Sequence, residues 1–194
     1  MINRTLRHKI ESAAQQFPVI TLTGPRQSGK TTLMKSIFSN YEYVSLENKD
    51  HRNFATTDPR GFLKRFSQRI IFDEIQRTPD LFSYIQTLVD EDDQPGRFIL
   101  TGSQNFLLLE NISQSLAGRC AILHLLPLSW SELMGRSSWS FTGKEPTFPP
   151  IPLPAPKELP EIMFTGFYPR IHGKGLPPTD WLASYYQTYI EKDV

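Results

Sequence analysis

VITLTGPRQSGKTT, residues 19–32, decides how this chain is read. The apolar, β-branched run 19–23 predicts a buried strand. Gly24 to Thr31 follow it without a break and fit the spacing G-x-x-x-x-G-K-[ST]. A loop of that kind wraps a phosphate group in backbone N–H groups. It needs glycine where the chain turns tightly or where a side chain would block the anion. The pattern predicts a helix from Lys30 to Ser39, whose first turn adds unpaired N–H donors and the positive end of a dipole. Gly24, Pro25, Arg26, Gln27, Ser28, Gly29, Lys30, Thr31 and Thr32 are the candidate binding residues. Lys30 is placed to reach the β and γ phosphates, and Thr31 to offer a hydroxyl to Mg²⁺. Arg26 either touches phosphate or packs against a neighbouring acid; the residues alone leave both open.

Working outward, a second strand is predicted over 41–46, and a third over RIIFDE, 69–74. The third ends in two carboxylates. Open α/β sheets bind ligands at the carboxyl ends of their strands, which makes Asp73 the candidate Mg²⁺ acid and Glu74 the candidate for polarising an attacking water. RFILTGSQ, 97–104, reads as a fourth strand ending in small polar residues. If it lies between the first and third strands, Ser103 or Gln104 points toward the γ-phosphate. AILHLL, 121–126, is the fifth strand. Arg119, just before it, could stabilise charge during phosphoryl transfer, within the chain or across a subunit interface. Its plainer reading is a surface arginine.

Helices are expected between the strands. Residues 3–16 place Ile2, Leu6, Ile10, Ala13 and Phe17 on one face, with Asn3 as cap. Residues 47–57 read as a polar loop. Asp58-Pro59 opens a helix carrying Phe62, Leu63 and Phe66, and Thr78-Pro79 opens another carrying Leu81, Phe82, Ile85, Leu88 and Val89. Ser129 and Glu132 fit a capping box. Strands alternating with helices predict an α/β fold with a parallel sheet covered on both faces. This nucleotide domain is expected over 1–135. Seven of the 16 prolines fall between Pro146 and Pro160, so 136–160 is read as a linker or irregular loop. From 161 to 194, Gly and Pro turns lead to a helix from about Thr179. Its aromatic stripe, which includes Trp181, Tyr185 and Tyr189, reads as core or interface.

Composition narrows the classes of function. Among 194 residues, 21 Lys and Arg meet 20 Asp and Glu, for a net charge of +1. A strongly basic nucleic-acid binder is excluded as the default, because neutralising many phosphates takes many cations. The single cysteine, Cys120, allows neither an internal disulfide nor a cysteine-rich zinc site. The four histidines have no metal-like spacing. No apolar run has the length of a membrane span, and no apolar stretch follows the N-terminal charges as in a signal peptide. A cytoplasmic protein is the expectation.

The strings LTGPRQSGKTTL, IIFDEIQ, FILTGSQ and SLAGR, in this order, resemble the AAA-like P-loop ATPases of bacteria and archaea. In that family the ATPase domain is followed by a second domain of unknown role, and MFTGFYPRI and YYQTYIEKDV are similar to the junction leading into it. The resemblance implies a three-layer P-loop NTPase sandwich whose five parallel strands run in the order 5-1-4-3-2. It implies ATP and Mg²⁺ as cofactors. Lys30 and Thr31 would bind phosphate and metal, Asp73 the metal, and Glu74 would activate water. Ser103 would stand at the sensor position and Arg119 at the family's arginine. The chain ends where the second domain is expected to begin, so that domain or another protein is the expected partner; nucleic acid stays open. Two functions follow. One is Mg²⁺-dependent ATP hydrolysis. The other is a nucleotide-dependent switch that turns over slowly or not at all. A kinase acting on a small acceptor would need an Arg-rich lid, and the sequence has no such segment. It also has no Asn/Thr-Lys-x-Asp motif, which favours adenine over guanine.

Overall fold

The computed structural model describes residues 2–66, 68–103, 112, 114–135 and 158–190. They form two compact units: Leu6–Leu126, and a second made of Met1–Thr5 with Pro127–Val194.

The first unit is built on five strands: β1 (Val19–Thr23), β2 (Glu42–Ser45), β3 (Ile70–Asp73), β4 (Phe98–Thr101) and β5 (Cys120–His124). All neighbours pair in parallel, in the order β2-β3-β4-β1-β5. Read from the other edge, this is the order 5-1-4-3-2 that the family resemblance implied. Successive residues of a strand face opposite sides of the sheet, and here both sides are covered. Val19, Ile70, Phe72, Phe98 and Leu100 belong to one apolar cluster. Ile20, Leu22, Ile71 and Ile99 belong to the other. Burial on both faces explains why the strands read as continuous apolar runs rather than alternating ones.

The helices are α1 (Arg7–Ala13), α2 (Lys30–Ile37), α3 (Lys49–Thr57), α4 (Pro59–Arg65) and α5 (Leu81–Glu91), with a 3-10 turn at Ile75–Arg77. Asp58 caps α4 as expected, accepting a hydrogen bond from the Gly61 amide at 2.8 Å. Two expectations are corrected. Helix α1 is shorter than 3–16, and Leu6, not Asn3, stands at its cap. The residues before it are held elsewhere: the Thr5 amide donates to Glu132 Oε1 at 2.7 Å, and Arg4 Nε lies 3.2 Å from Glu132 Oε2. Residues 47–57 are not a loop. Asn48 caps α3, its side chain accepting from the Asp50 and His51 amides. Only Ala55 of that helix is buried, so there was no apolar stripe to signal it.

The second unit contains α6 (Trp130–Leu133), α7 (Leu159–Thr165), α8 (Pro169–Lys174), α9 (Pro178–Tyr185) and a π-helical turn at Tyr186–Ile190. The capping box is present in full. The Glu132 amide donates to Ser129 Oγ, and the Ser129 amide donates to Glu132 Oε2 at 2.9 Å. Tyr168, Trp181, Tyr185 and Tyr189 pack together with ring centroids about 5 Å apart. Helices α7 and α8 correct the expectation of turns there. Both carry proline in their first turn, where its missing N–H costs nothing. The helical stretch expected after β4 and the Pro-rich run lie mostly outside the described residues, and Gln104 lies wholly outside them. Among the described residues no helix is long and apolar enough to cross a membrane.

Candidate functional site

The cradle begins where β1 ends. Gly24 has φ +146°, and a Cβ there would stand 2.2 Å from the Leu125 carbonyl oxygen. Only glycine lets the loop pass that close to the chain after β5. Gln27 (φ 65°) and Gly29 (φ 93°) are both left-handed. For Gln27 this costs on the order of 1 kcal/mol. Gly29 is also the residue before α2, and no side chain caps that helix. The first-turn amides of α2 are thus left for an anion.

Lys30 opens α2 and is buried. Its Nζ donates to the carbonyl oxygens of Gly24 at 3.0 Å and Pro25 at 2.9 Å. Burial lowers its pKa from the usual lysine value; the Glu74 and Asp73 carboxylates oppose that, and Arg26 adds to it. The ammonium is therefore a desolvated positive charge at the mouth of the loop. Arg26 and Gln27 are exposed, as is Thr32 on α2, while Ser28 is buried.

The acid pair stands across from the loop. Asp73 ends β3 and is buried. The Thr31 hydroxyl lies 3.0 Å from Asp73 Oδ2 and 3.2 Å from Oδ1. The Tyr43 hydroxyl donates to Oδ2 at 2.7 Å, and the Thr101 hydroxyl donates to Oδ1. Burial, then the bond to Asp73, push the Tyr43 phenol up, which keeps it a donor. Glu74 follows with a left-handed backbone, φ 58°. Its Oε2 accepts from Gln76 Nε2 and, at 3.4 Å, from Ser103 Oγ. The register that sets Asp73 beside Thr101 on β4 explains why Ser103, two residues further on, reaches Glu74.

The structure thus brings Lys30, Thr31, Asp73, Glu74 and Ser103 to one edge of the sheet. It does not bring Arg119 there. The Arg119 carbonyl accepts from the Val19 amide at 3.2 Å, which puts this residue at the amino end of β1 and β5. Most of the length of β1, roughly 13 Å at the usual rise per residue, separates it from the loop. Its guanidinium pairs with Asp90 and donates to the Ala117 carbonyl. The expectation of an arginine at the phosphate edge of its own chain is corrected: a residue preceding a parallel strand sits at the opposite edge from residues that follow one. Tyr43, Thr101 and Gln76 were not singled out from sequence. Gln76 and Thr101 lie inside the quoted strings; nothing in the sequence marks Tyr43.

The donor set suits a hard cation. A hydroxyl and a carboxylate in contact are oxygen ligands, and Mg²⁺ is usually held by one or two protein groups plus phosphate oxygens. Among the described residues no group of three or more His, Cys, Asp and Glu gathers into a metal site of its own.

The uncharacterized protein Rv2008c of Mycobacterium tuberculosis is 33% identical over 144 residues, 72% of this chain and 33% of that protein. The uncharacterized protein MJ1544 of Methanocaldococcus jannaschii is 26% identical over 178 residues, 87% of this chain and 39% of that one. This chain spans about a third of the length of the curated relatives it matches. Among solved structures, a Walker-type ATPase of Pyrococcus abyssi aligns with a TM-score of 0.48 and 18% identity, covering 68% of this chain and 55% of that one. The P-loop NTPase domain of a sigma-54 transport activator from E. coli aligns with a TM-score of 0.46 and 15% identity, covering 66% of this chain and 100% of that one. The sequence model of the AAA domain family matches residues 16–134. That match takes in every side chain of the cradle and well over half of the residues, so the chain belongs to the AAA domain family, nucleotide-binding ATPases of the P-loop class.

Proposed function

We propose that this chain binds ATP together with Mg²⁺ and hydrolyses it to ADP and phosphate. The observation that carries the reading is the contact of Thr31 with Asp73, 3.0 Å, which joins the phosphate loop to the acid strand in one cleft. Backbone amides of the loop and of the α2 first turn take the phosphate oxygens. Lys30 exchanges its two carbonyl partners for the β and γ phosphates. Thr31 and Asp73 would hold Mg²⁺, which when bound neutralises charge on the triphosphate. Glu74 accepts a proton from a water whose oxygen forms the new bond to the γ-phosphorus as the bond to the bridging oxygen breaks. Ser103, hydrogen-bonded to Glu74, reports on that carboxylate. Arg119 could serve only the nucleotide of a neighbouring subunit.

A second reading has its own support. Glu74 is tethered at Oε2 by Gln76 and Ser103, which leaves Oε1 to take a proton only where the tether lets it reach the water. A chain that kept this arrangement with ATP bound would be a switch rather than a hydrolase. Phosphate release from the wild type and from Glu74→Gln separates the two. Hydrolysis predicts wild-type turnover that the variant loses by at least ~100-fold, the scale of positioned acid–base catalysis. Equal release at background, with ATP still bound, establishes the switch. Lys30→Ala should abolish ATP binding in calorimetry; unchanged affinity would count against the whole assignment.

A further inference from the structure

The Asp73 carboxylate is more heavily held than its own strand requires. Each carboxylate oxygen offers two lone pairs. Oδ2 accepts from Tyr43 and Thr31, and Oδ1 from Thr101 and Thr31. Three hydroxyl hydrogens thus reach the carboxylate, one from Tyr43, one from Thr101 and one from Thr31 shared between the two oxygens. Thr31 is also the cation-ligating hydroxyl of the proposed function. A cation would take a lone pair of the Thr31 oxygen, so the one hydrogen that Thr31 shares between the two oxygens of Asp73 is the contact that has to adjust. Tyr43 and Thr101 still hold one oxygen each.

Tyr43 differs from Thr101 in how it is fixed. Thr101 is buried in the centre of the sheet. Tyr43 stands on β2, the edge strand, and is only half-buried. Its ring is clamped from outside: Lys35 Nζ lies 3.3 Å from the ring centroid. Lys35 is four residues after Thr31 on α2 and shares its face of the helix. One helix face thus touches Asp73 through Thr31 and steadies, through Lys35, the phenol that bonds the same carboxylate.

We infer that Tyr43 is a positioning residue for Asp73, fixing the carboxylate so that it can serve Mg²⁺ when Thr31 ligates the same cation. The inference rests on the proposed ATP and Mg²⁺ reading and adds to it a residue on a different strand. It makes metal dependence, rather than nucleotide affinity, the property that Tyr43 controls.

Calorimetric ATP titrations of the full chain, in EDTA and across a series of free Mg²⁺ concentrations, test this. Tyr43→Phe keeps the ring and loses only the hydroxyl. Its ATP affinity in EDTA should equal the wild type's, while the Mg²⁺ midpoint should rise by roughly 10-fold, the lower end of what losing a partner behind a metal ligand costs. Lys35→Met should move the midpoint the same way by less. Should Tyr43→Phe fail to fold, as judged by its melting curve, the Lys35→Met titration decides alone. A wild-type midpoint in the deciding variant overturns the inference and leaves the ATP reading standing. Equal weakening with and without metal also overturns it, since the hydroxyl would then serve the nucleotide site in general. A wild-type chain that binds ATP with no regard to Mg²⁺ overturns both.

Discussion

Single residues carry the cradle, and they differ in how visible they were. Gly24, Gly29 and Lys30 announce themselves because phosphate binding demands those types at that spacing. The structure adds the reason for Gly24 in particular, the Leu125 carbonyl 2.2 Å from where a Cβ would stand. Gly24→Ala should therefore cost about 3 kcal/mol, the upper end of overpacking, with loss of ATP binding; urea denaturation and calorimetry would measure the two. A fully stable, fully binding variant would mean that β5 can move aside. Tyr43 was silent in the sequence for a physical reason. A tyrosine in a strand is ordinary, and its value here comes from the β2–β3 register, which sets Val44 beside Phe72 and Ser45 beside Asp73. Pairing of that kind is not written in any local pattern. Arg119 had two readings open: its neighbourhood in sequence matches the family's, but it stands at the amino end of its strand and pairs with Asp90, as its plainer reading of a surface arginine has it.

At the level of elements, what could be read was whatever buries an apolar stripe. Helices α4 and α5 were foreseen from Phe62, Leu63, Ile85 and Val89, all buried. Helix α3 escaped because capping by Asn48, not burial, defines it. Helices α7 and α8 are hidden because proline, the mark of linkers and turns, stands here in a helix's first turn. The capping box of α6 was legible, but its reach was not. Glu132 also takes the Thr5 amide and Arg4, tying the start of the chain to a helix more than a hundred residues away. Burial pushes the Glu132 pKa up, but bonds from the Ser129 and Thr5 amides and the charge of Arg4 outweigh it and hold the value below the usual 4.5. A depressed carboxyl contributes stability that is full above its unfolded value and lost as pH falls through the folded one. Glu132→Ala should cost about 3 kcal/mol at neutral pH, since it leaves Arg4 buried without its carboxylate. That deficit should shrink as pH drops below about 4.5. Urea midpoints of wild type and variant, followed down through the carboxylate range, would check both; a pH-independent difference would mean the charge is not what matters.

For the molecule as a whole, the parallel sheet is the device that assembles the site. Parallel strands connected by helices point their carboxyl ends one way, so residues from β1, β3 and β4 meet without any contact between them in sequence. That logic made the fold and most of the cleft readable from four short strings. It leaves unread whatever depends on strand register or on residues far apart in the chain. It also places Glu74 at the first bend after β3, in a backbone conformation that suits glycine better than glutamate. Glu74→Gly should raise the melting temperature by a few degrees, about 1 kcal/mol, while erasing phosphate release. An unaltered or lower melting temperature would mean that the bonds to Gln76 and Ser103 outweigh the strain. Under a laboratory regime that rewarded heat resistance alone, this position would be among the first to decay, and the resulting protein would be sturdier and inert.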